Sequence, residues 1–139
     1  MITVENLTKR FGRIVAVNGI SFEVEKGEVV GFLGPNAAGK TTTVRMVTGF
    51  LSPTSGRAMV MGKDVIVSPQ ETKKHIGYLP ENTPLYHDLT VKEYLNFVGR
   101  IRHVPRSERL KRYEYVVDVC GIAEVQSRLI GHLSKGYRQ

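Results

Sequence analysis

Residues 34–42 read Gly-Pro-Asn-Ala-Ala-Gly-Lys-Thr-Thr, which fits the spacing G-x-x-x-x-G-K-[ST]. These residue types at this spacing bind phosphate. A loop of this kind points consecutive backbone N–H groups at an anion, and the helix that follows adds the positive end of its dipole. Gly34, Pro35, Asn36, Ala37, Ala38 and Gly39 form the cradle. Lys40 supplies the charge that stabilises β- and γ-phosphates, the Thr41 hydroxyl ligates Mg²⁺, and Thr42 adds a hydrogen bond to an inner phosphate.

Such a loop has to be held by a strand before it and a helix after it. The apolar run Val29-Val30-Gly31-Phe32-Leu33 reads as a buried strand, and Thr41 to Val47, free of breakers, reads as the helix. Upstream, Ile2-Val4 and Ile20-Phe22-Val24 alternate as antiparallel strands, with Lys26-Gly27 as a turn. Downstream, Ser52-Pro53-Thr54-Ser55-Gly56 is a turn cluster, Ala58 to Gly62 reads as a strand, and Ile76 to Leu79 as a core strand. Beyond Pro84 the pattern becomes helical. Thr90 and Glu93 form a capping box ahead of Val91, Tyr94, Leu95 and Val98 on one face. Pro105 ends that helix, and a second runs from about Ser107 to Cys120 with Leu110, Tyr113, Val117 and Cys120 as its face, stopped by Gly121.

Further landmarks flank the loop. Leu7-Thr8-Lys9-Arg10-Phe11-Gly12, followed by Ala16-Val17, precedes it; Ile76-Gly77-Tyr78-Leu79-Pro80-Glu81 follows it; Leu133-Ser134-Lys135-Gly136-Tyr137-Arg138-Gln139 comes last. In this order they resemble the adenine-stacking loop, Walker A motif, Q-loop and L-S-G-G-Q signature of an ABC-transporter ATP-binding domain. The resemblance covers Met1 to Gln139, and the style of its motifs is most similar to ATPases serving ABC-2 type exporters. It implies an α/β fold: a P-loop NTPase core with an N-terminal antiparallel β-subdomain over 1–84, and the start of the helical subdomain over 85–139. It also implies ATP and Mg²⁺ as ligands, with Phe11 stacking on adenine beside Ala16, and Thr41 and Glu81 at the metal. Ser134 and Gly136 would approach the γ-phosphate held by a second ATP-binding domain in a head-to-tail dimer. The implied partners are transmembrane permease subunits, with the chain cytoplasmic and peripheral on the inner face of the cell membrane.

Three departures from the family pattern matter. Ala37 stands where Gly is usual, and its methyl is tolerable only if φ stays negative. Glu81 replaces the Q-loop Gln; it keeps an oxygen for Mg²⁺ and adds a charge, or else caps an exposed loop. Lys135 and Tyr137 replace Gly and Gln in the signature. No residue matches the Walker B Asp, the catalytic Glu or the switch His, because Tyr115-Val116-Val117-Asp118 falls inside a helical pattern. The chain therefore reads as truncated before the Walker B strand. In the family's sheet that strand and the next lie between the P-loop and Q-loop strands, so two core strands are expected to lack partners.

Composition agrees with a globular domain: 139 residues, 41% hydrophobic, with no run of the ~20 apolar residues a membrane span needs. Its one cysteine, Cys120, suits a reducing compartment, and His75, His87, His103 and His132 show no metal-ligand spacing. The net charge of +7 is densest at Arg100, Arg102, Arg106, Arg109, Lys111 and Arg112. Without interleaved aromatics this run reads as a solvated helical face, and no nucleic acid is expected as a partner. Two other readings stay open: a nucleotide-binding module or inactive fragment without hydrolysis, and a soluble ABC protein outside transport.

Overall fold

Alternating residues at the N-terminus build an antiparallel hairpin of β1 (Ile2–Phe11) and β2 (Ile14–Val24), closed by Gly12 and Arg13. Its register pairs Ile2 with Val24, Val4 with Phe22 and Phe11 with Ile14. On the other side of β1 lies β3 (Ser55–Val60), which turns back through Met61 and Gly62 into the short β4 (Lys63–Asp64). The sheet order is β2-β1-β3-β4. β1 bulges at Asn6, which has φ +47° and whose N–H donates to Ser21 Oγ at 2.8 Å. The computed structural model describes residues 1–139.

Helix α1 (Lys40–Val47) places Thr43 and Met46, one turn apart, among the buried Val4, Leu7, Val17, Ala58, Val60 and Val65. Full burial of one such aliphatic side chain is worth about 1.5–3 kcal/mol, so this cluster holds α1 to the sheet. A short helix α2 (Pro69–Lys73) follows β4. Contacts divide the chain into two units, Met1–Tyr78 and Leu79–Gln139.

Two expected strands are not formed. Residues 28–34 and 76–79 carry no ladder: the sheet consists of β2-β1-β3-β4 alone, and neither segment pairs with it. Apolar content alone does not make a strand; its N–H and C=O groups need a partner backbone. Residues 29–33 nevertheless keep a period of two. Val29 and Leu33 are 98% and 91% exposed, while Val30 and Phe32 line an apolar cavity of about 520 Å³. Ile76 and Tyr78, from the second unladdered segment, line the same cavity with Val24, Val47 and Val60.

In the second unit the helical pattern is realised as α3 (Val91–Ile101) and α4 (Arg106–Val119). The capping box is complete: Thr90 Oγ1 accepts from Glu93 N–H at 3.2 Å, and Glu93 Oε2 accepts from Thr90 N–H at 2.8 Å. The buried face of α4 departs from expectation. Leu110 is 67% exposed and Cys120 is exposed, while Val117 is buried and Arg109, Tyr113 and Val116 are half-buried. Tyr113 turns inward because its hydroxyl donates to Gln126 Oε1, and burial pushes its pKa up. The stretch from Gln126 to Gly131 is stapled to residues 87–92 by Val91 N–H to Arg128 C=O (3.2 Å), Lys92 N–H to Gln126 C=O (3.0 Å) and Ile130 N–H to Leu89 C=O (2.9 Å). Val91, Val125, Ile130 and Leu133 form the core of this unit, and a single turn, α5 (Lys135–Arg138), ends it.

Candidate functional site

The loop of residues 34–39 leads into the first turn of α1, which starts at Lys40. Gly39 is left-handed (φ +86°), and a Cβ there would lie 2.3 Å from the Ala16 carbonyl oxygen and 3.1 Å from the Val17 side chain. Only glycine allows the end of the loop to press this closely on β2. The contact joins two segments singled out in the sequence, Ala16-Val17 and the loop.

Few of the loop's donors are spent internally. Ala38 N–H donates to Pro35 C=O at 3.3 Å, and the first bond into the helix is Thr43 N–H to Gly39 C=O at 2.8 Å. The N–H groups of Gly39, Lys40, Thr41 and Thr42, at the positive end of α1, donate to no protein acceptor and lie at the surface. Lys40 Nζ folds back to donate to the carbonyls of Gly34 (2.6 Å) and Pro35 (2.7 Å), so the loop closes around an ammonium. These are bonds to neutral acceptors, and a phosphate oxygen makes a stronger, charge-assisted one. Backbone donors, an ammonium, the exposed Thr41 and the half-buried Thr42 form an anion-binding set.

Ala37 overturns its expectation. Its φ is +65°, in the left-handed region rather than the negative one. A non-glycine residue held there costs about 1–3 kcal/mol, so the loop stores strain at the position where its pattern departs from glycine.

Phe11 ends β1 at the hairpin tip, half-exposed, with Lys9 Nζ 5.2 Å from its ring centroid. Lys9 also donates to Ser52 C=O at 2.7 Å, which holds the ammonium in place. The reading from sequence missed Lys9, although residues i and i+2 of a strand share a face and Lys9 stands two before Phe11. It also missed Thr43, buried on the core side of α1, whose hydroxyl donates to Gly39 C=O at 3.0 Å and braces the loop's last residue.

The remaining candidates lie in the second unit. Glu81 is exposed in a bend after Pro80 and makes no hydrogen bond or ion pair with protein groups. Ser134 caps α5, its Oγ accepting from Tyr137 N–H at 3.3 Å, and Gly136 is exposed in that turn. No three His, Cys, Asp or Glu side chains come together. In the first unit the exposed Thr41 offers one hydroxyl oxygen, and Mg²⁺, which keeps waters and substrate phosphates, takes only one or two protein ligands.

A protein-family model described as ABC transporter matches residues 17–139. Over its whole length the chain is 40% identical to the ABC transporter ATP-binding protein NatA of Bacillus subtilis, of which it spans 58%. It is 34% identical, again over its whole length, to the probable multidrug ABC transporter ATP-binding protein YbhF of Escherichia coli, spanning 24% of that protein. A solved ATP-binding subunit of an ABC transporter superposes with a TM-score of 0.83 at 25% identity, covering 96% of this chain and 56% of the other. The chain thus spans between a quarter and three fifths of the length of the proteins it matches here.

Proposed function

The chain belongs to the ABC transporter family, and on that footing we propose that its first unit binds Mg-ATP as part of a subunit that couples ATP binding and hydrolysis to export across a membrane. The observation that carries this reading is the closure of residues 34–40 around Lys40 Nζ, with unspent N–H donors at the start of α1 beside it. Lys40 exchanges its two carbonyl acceptors for β- and γ-phosphate oxygens. The backbone N–H groups of 39–42 meet the same phosphates, and Thr42 adds its hydroxyl to an inner one. Mg²⁺, when bound, would supply positive charge to offset that developing on the phosphates. Thr41 is its proposed protein oxygen in the first unit. Gly39 against Ala16 seats the loop on the hairpin, so that Phe11 offers its ring to adenine. Ser134 and Gly136 are proposed to face the γ-phosphate held by a second ATP-binding domain in a head-to-tail dimer, and the proposed partners are transmembrane permease subunits at the inner face of the cell membrane. Export rests on the resemblance of the motifs to ATPases of ABC-2 type exporters, and transport on the names of the relatives.

Hydrolysis by this family also needs a positioned water and a base, and no residue among 1–139 takes that role. Residues 1–139 alone are therefore proposed to bind ATP without turning it over. The test is equilibrium binding of Mg-ATP, alongside phosphate release, for the native chain and Lys40→Ala. Saturable binding lost in the variant, with no release, supports the reading. Equal affinity in the two chains would remove the phosphate loop from the account, and turnover by the native chain would remove the claim of inactivity.

A further inference from the structure

We propose that the α3–α4 turn, residues 100–106, is a contact surface for an anionic membrane. The basic run of this region divides into engaged and free side chains, with the exposed Lys111 of α4 also outside any ion pair. Arg109 and Arg112 are engaged at home: Arg109 Nε donates to Val104 C=O at 2.8 Å, and Arg112 pairs with Glu108 at 3.2 Å. Arg100, Arg102 and Arg106 are exposed and make no ion pair. From Tyr94 to Ser107 there is no acidic residue at all. Between Arg100 and Arg102 in sequence stands Ile101, an aliphatic side chain 54% exposed on the same turn.

The turn that carries them is well fastened. Val104 N–H donates to Gly99 C=O and His103 N–H to Arg100 C=O, both at 3.0 Å, with His103 left-handed at φ +54°. This is the double-bonded Schellman closure of a helix end. Its far side is tied to α4 by the Arg109 bond to Val104. The arginines and Ile101 are thus presented on a rigid turn rather than on a loose loop.

A turn that carries three exposed, unpaired arginines and an exposed aliphatic residue, with no acidic residue from 94 to 107, matches an anionic bilayer, where the charges meet headgroups and the apolar group enters the headgroup–acyl boundary. Nucleic acid fits less well. It rewards stacking rings, and the half-exposed aromatic nearby, Phe97, is held edge-on by Tyr86 at 5.6 Å. The proposal is independent of the nucleotide reading.

The test is flotation of the chain with vesicles of phosphatidylcholine alone or mixed with phosphatidylglycerol, at low and at physiological salt. Binding is expected only with the anionic lipid and weaker at higher salt. Each arginine near the surface contributes roughly fivefold, so Arg100→Ala/Arg102→Ala/Arg106→Ala together should lose on the order of a hundredfold. Removing three exposed positive charges elsewhere, Lys26→Ala/Lys73→Ala/Arg128→Ala, should cost far less. Ile101→Ser should weaken vesicle binding and leave binding to a DNA duplex unchanged, while Lys40→Ala should leave vesicle binding intact. Circular dichroism confirms that each variant is folded. Equal loss from the two triple variants, equal binding to uncharged vesicles, or tighter binding to DNA than to anionic vesicles would each overturn the proposal.

Discussion

The two units of this chain draw on different sources of order. In the second, α3 and α4 close their hydrogen bonds within themselves, and their ends are satisfied locally by the Thr90–Glu93 box, the His103 turn and the corresponding turn at Gly121. In the first, the hairpin and α1 are equally well made, but residues 29–33 and 77–79, apolar or glycine apart from the Tyr78 hydroxyl, have no backbone hydrogen-bond partner. A helix satisfies its backbone hydrogen bonds within one segment, whereas a strand needs a neighbour. The segment that leads into the phosphate loop is of the second kind, so the loop is held from behind by Gly39 on β2 and by Thr43 on the helix rather than by a ladder in front.

The largest expected effect tests whether ligand binding belongs to the first unit alone. Hydrogen bonds to charged groups contribute roughly 1.5–3 kcal/mol each, so Lys40→Ala should lower Mg-ATP affinity at least about tenfold, measured calorimetrically. Helical content contributed by α3 and α4 should not change; a parallel loss of helix would mean that the two regions are not separable.

Next comes the brace. Gly39→Ala places a methyl 2.3 Å from a backbone oxygen at a left-handed φ, for which conformational strain alone is about 1–3 kcal/mol. Denaturant unfolding should show at least that loss, together with weaker ATP binding. Gly31→Ala is the counterpart in the unladdered segment. Its added carbon would meet only the Leu33 side chain, at 3.9 Å, and unfolding should hardly shift. Similar losses at the two positions would contradict the view that the loop is anchored from behind.

In the second unit, Thr90→Ala removes the cap of α3 and should cost about 1 kcal/mol by the same measurement, without touching ATP affinity.

The smallest effect is on acid stability. Hydrogen bonds from the Thr90 N–H and hydroxyl hold the Glu93 carboxyl below its usual value, and Lys74 with Lys63 lowers Glu71 to about 2. Both folded values lie below the unfolded ones. The contribution is therefore present above the ordinary carboxylate pKa near 4.5 and is lost as pH falls from there toward about 2. Both groups are exposed, so the shift in unfolding midpoint between pH 5 and 2.5 should be slight, and smaller again at high salt. Glu93→Gln should remove the part that belongs to α3; an unchanged acid profile in that variant would exclude the cap as its source.

What the sequence made legible follows the same division. The phosphate loop, α1, the hairpin and the capped α3 were readable because each rests on local spacing: Gly34 to Lys40, alternation from Ile2, Thr90 to Glu93. The strands at 29–33 and 76–79 were misread because apolar residues report a wish for burial and say nothing of a partner. Leu110 was misplaced because helical spacing cannot tell which of two adjacent faces is covered; the Tyr113 bond to Gln126 decides that, thirteen residues away. The positive φ of Ala37 was hidden for a related reason, since backbone geometry imposed by a loop overrides the preference of the residue in it.

The exposed run Val29 to Leu33 also bears on how this chain behaves in a tube. It is apolar, rich in strand-forming residues, free of proline and charge, and its backbone has no pairing to protect it. Such a segment is a template for cross-β association between molecules, and the long outer edge of β2 is a second one in the same unit. Residues 1–139 in isolation should therefore turn turbid and bind thioflavin as concentration rises, and a lysine in place of Val29, whose side chain points into solvent, should delay both.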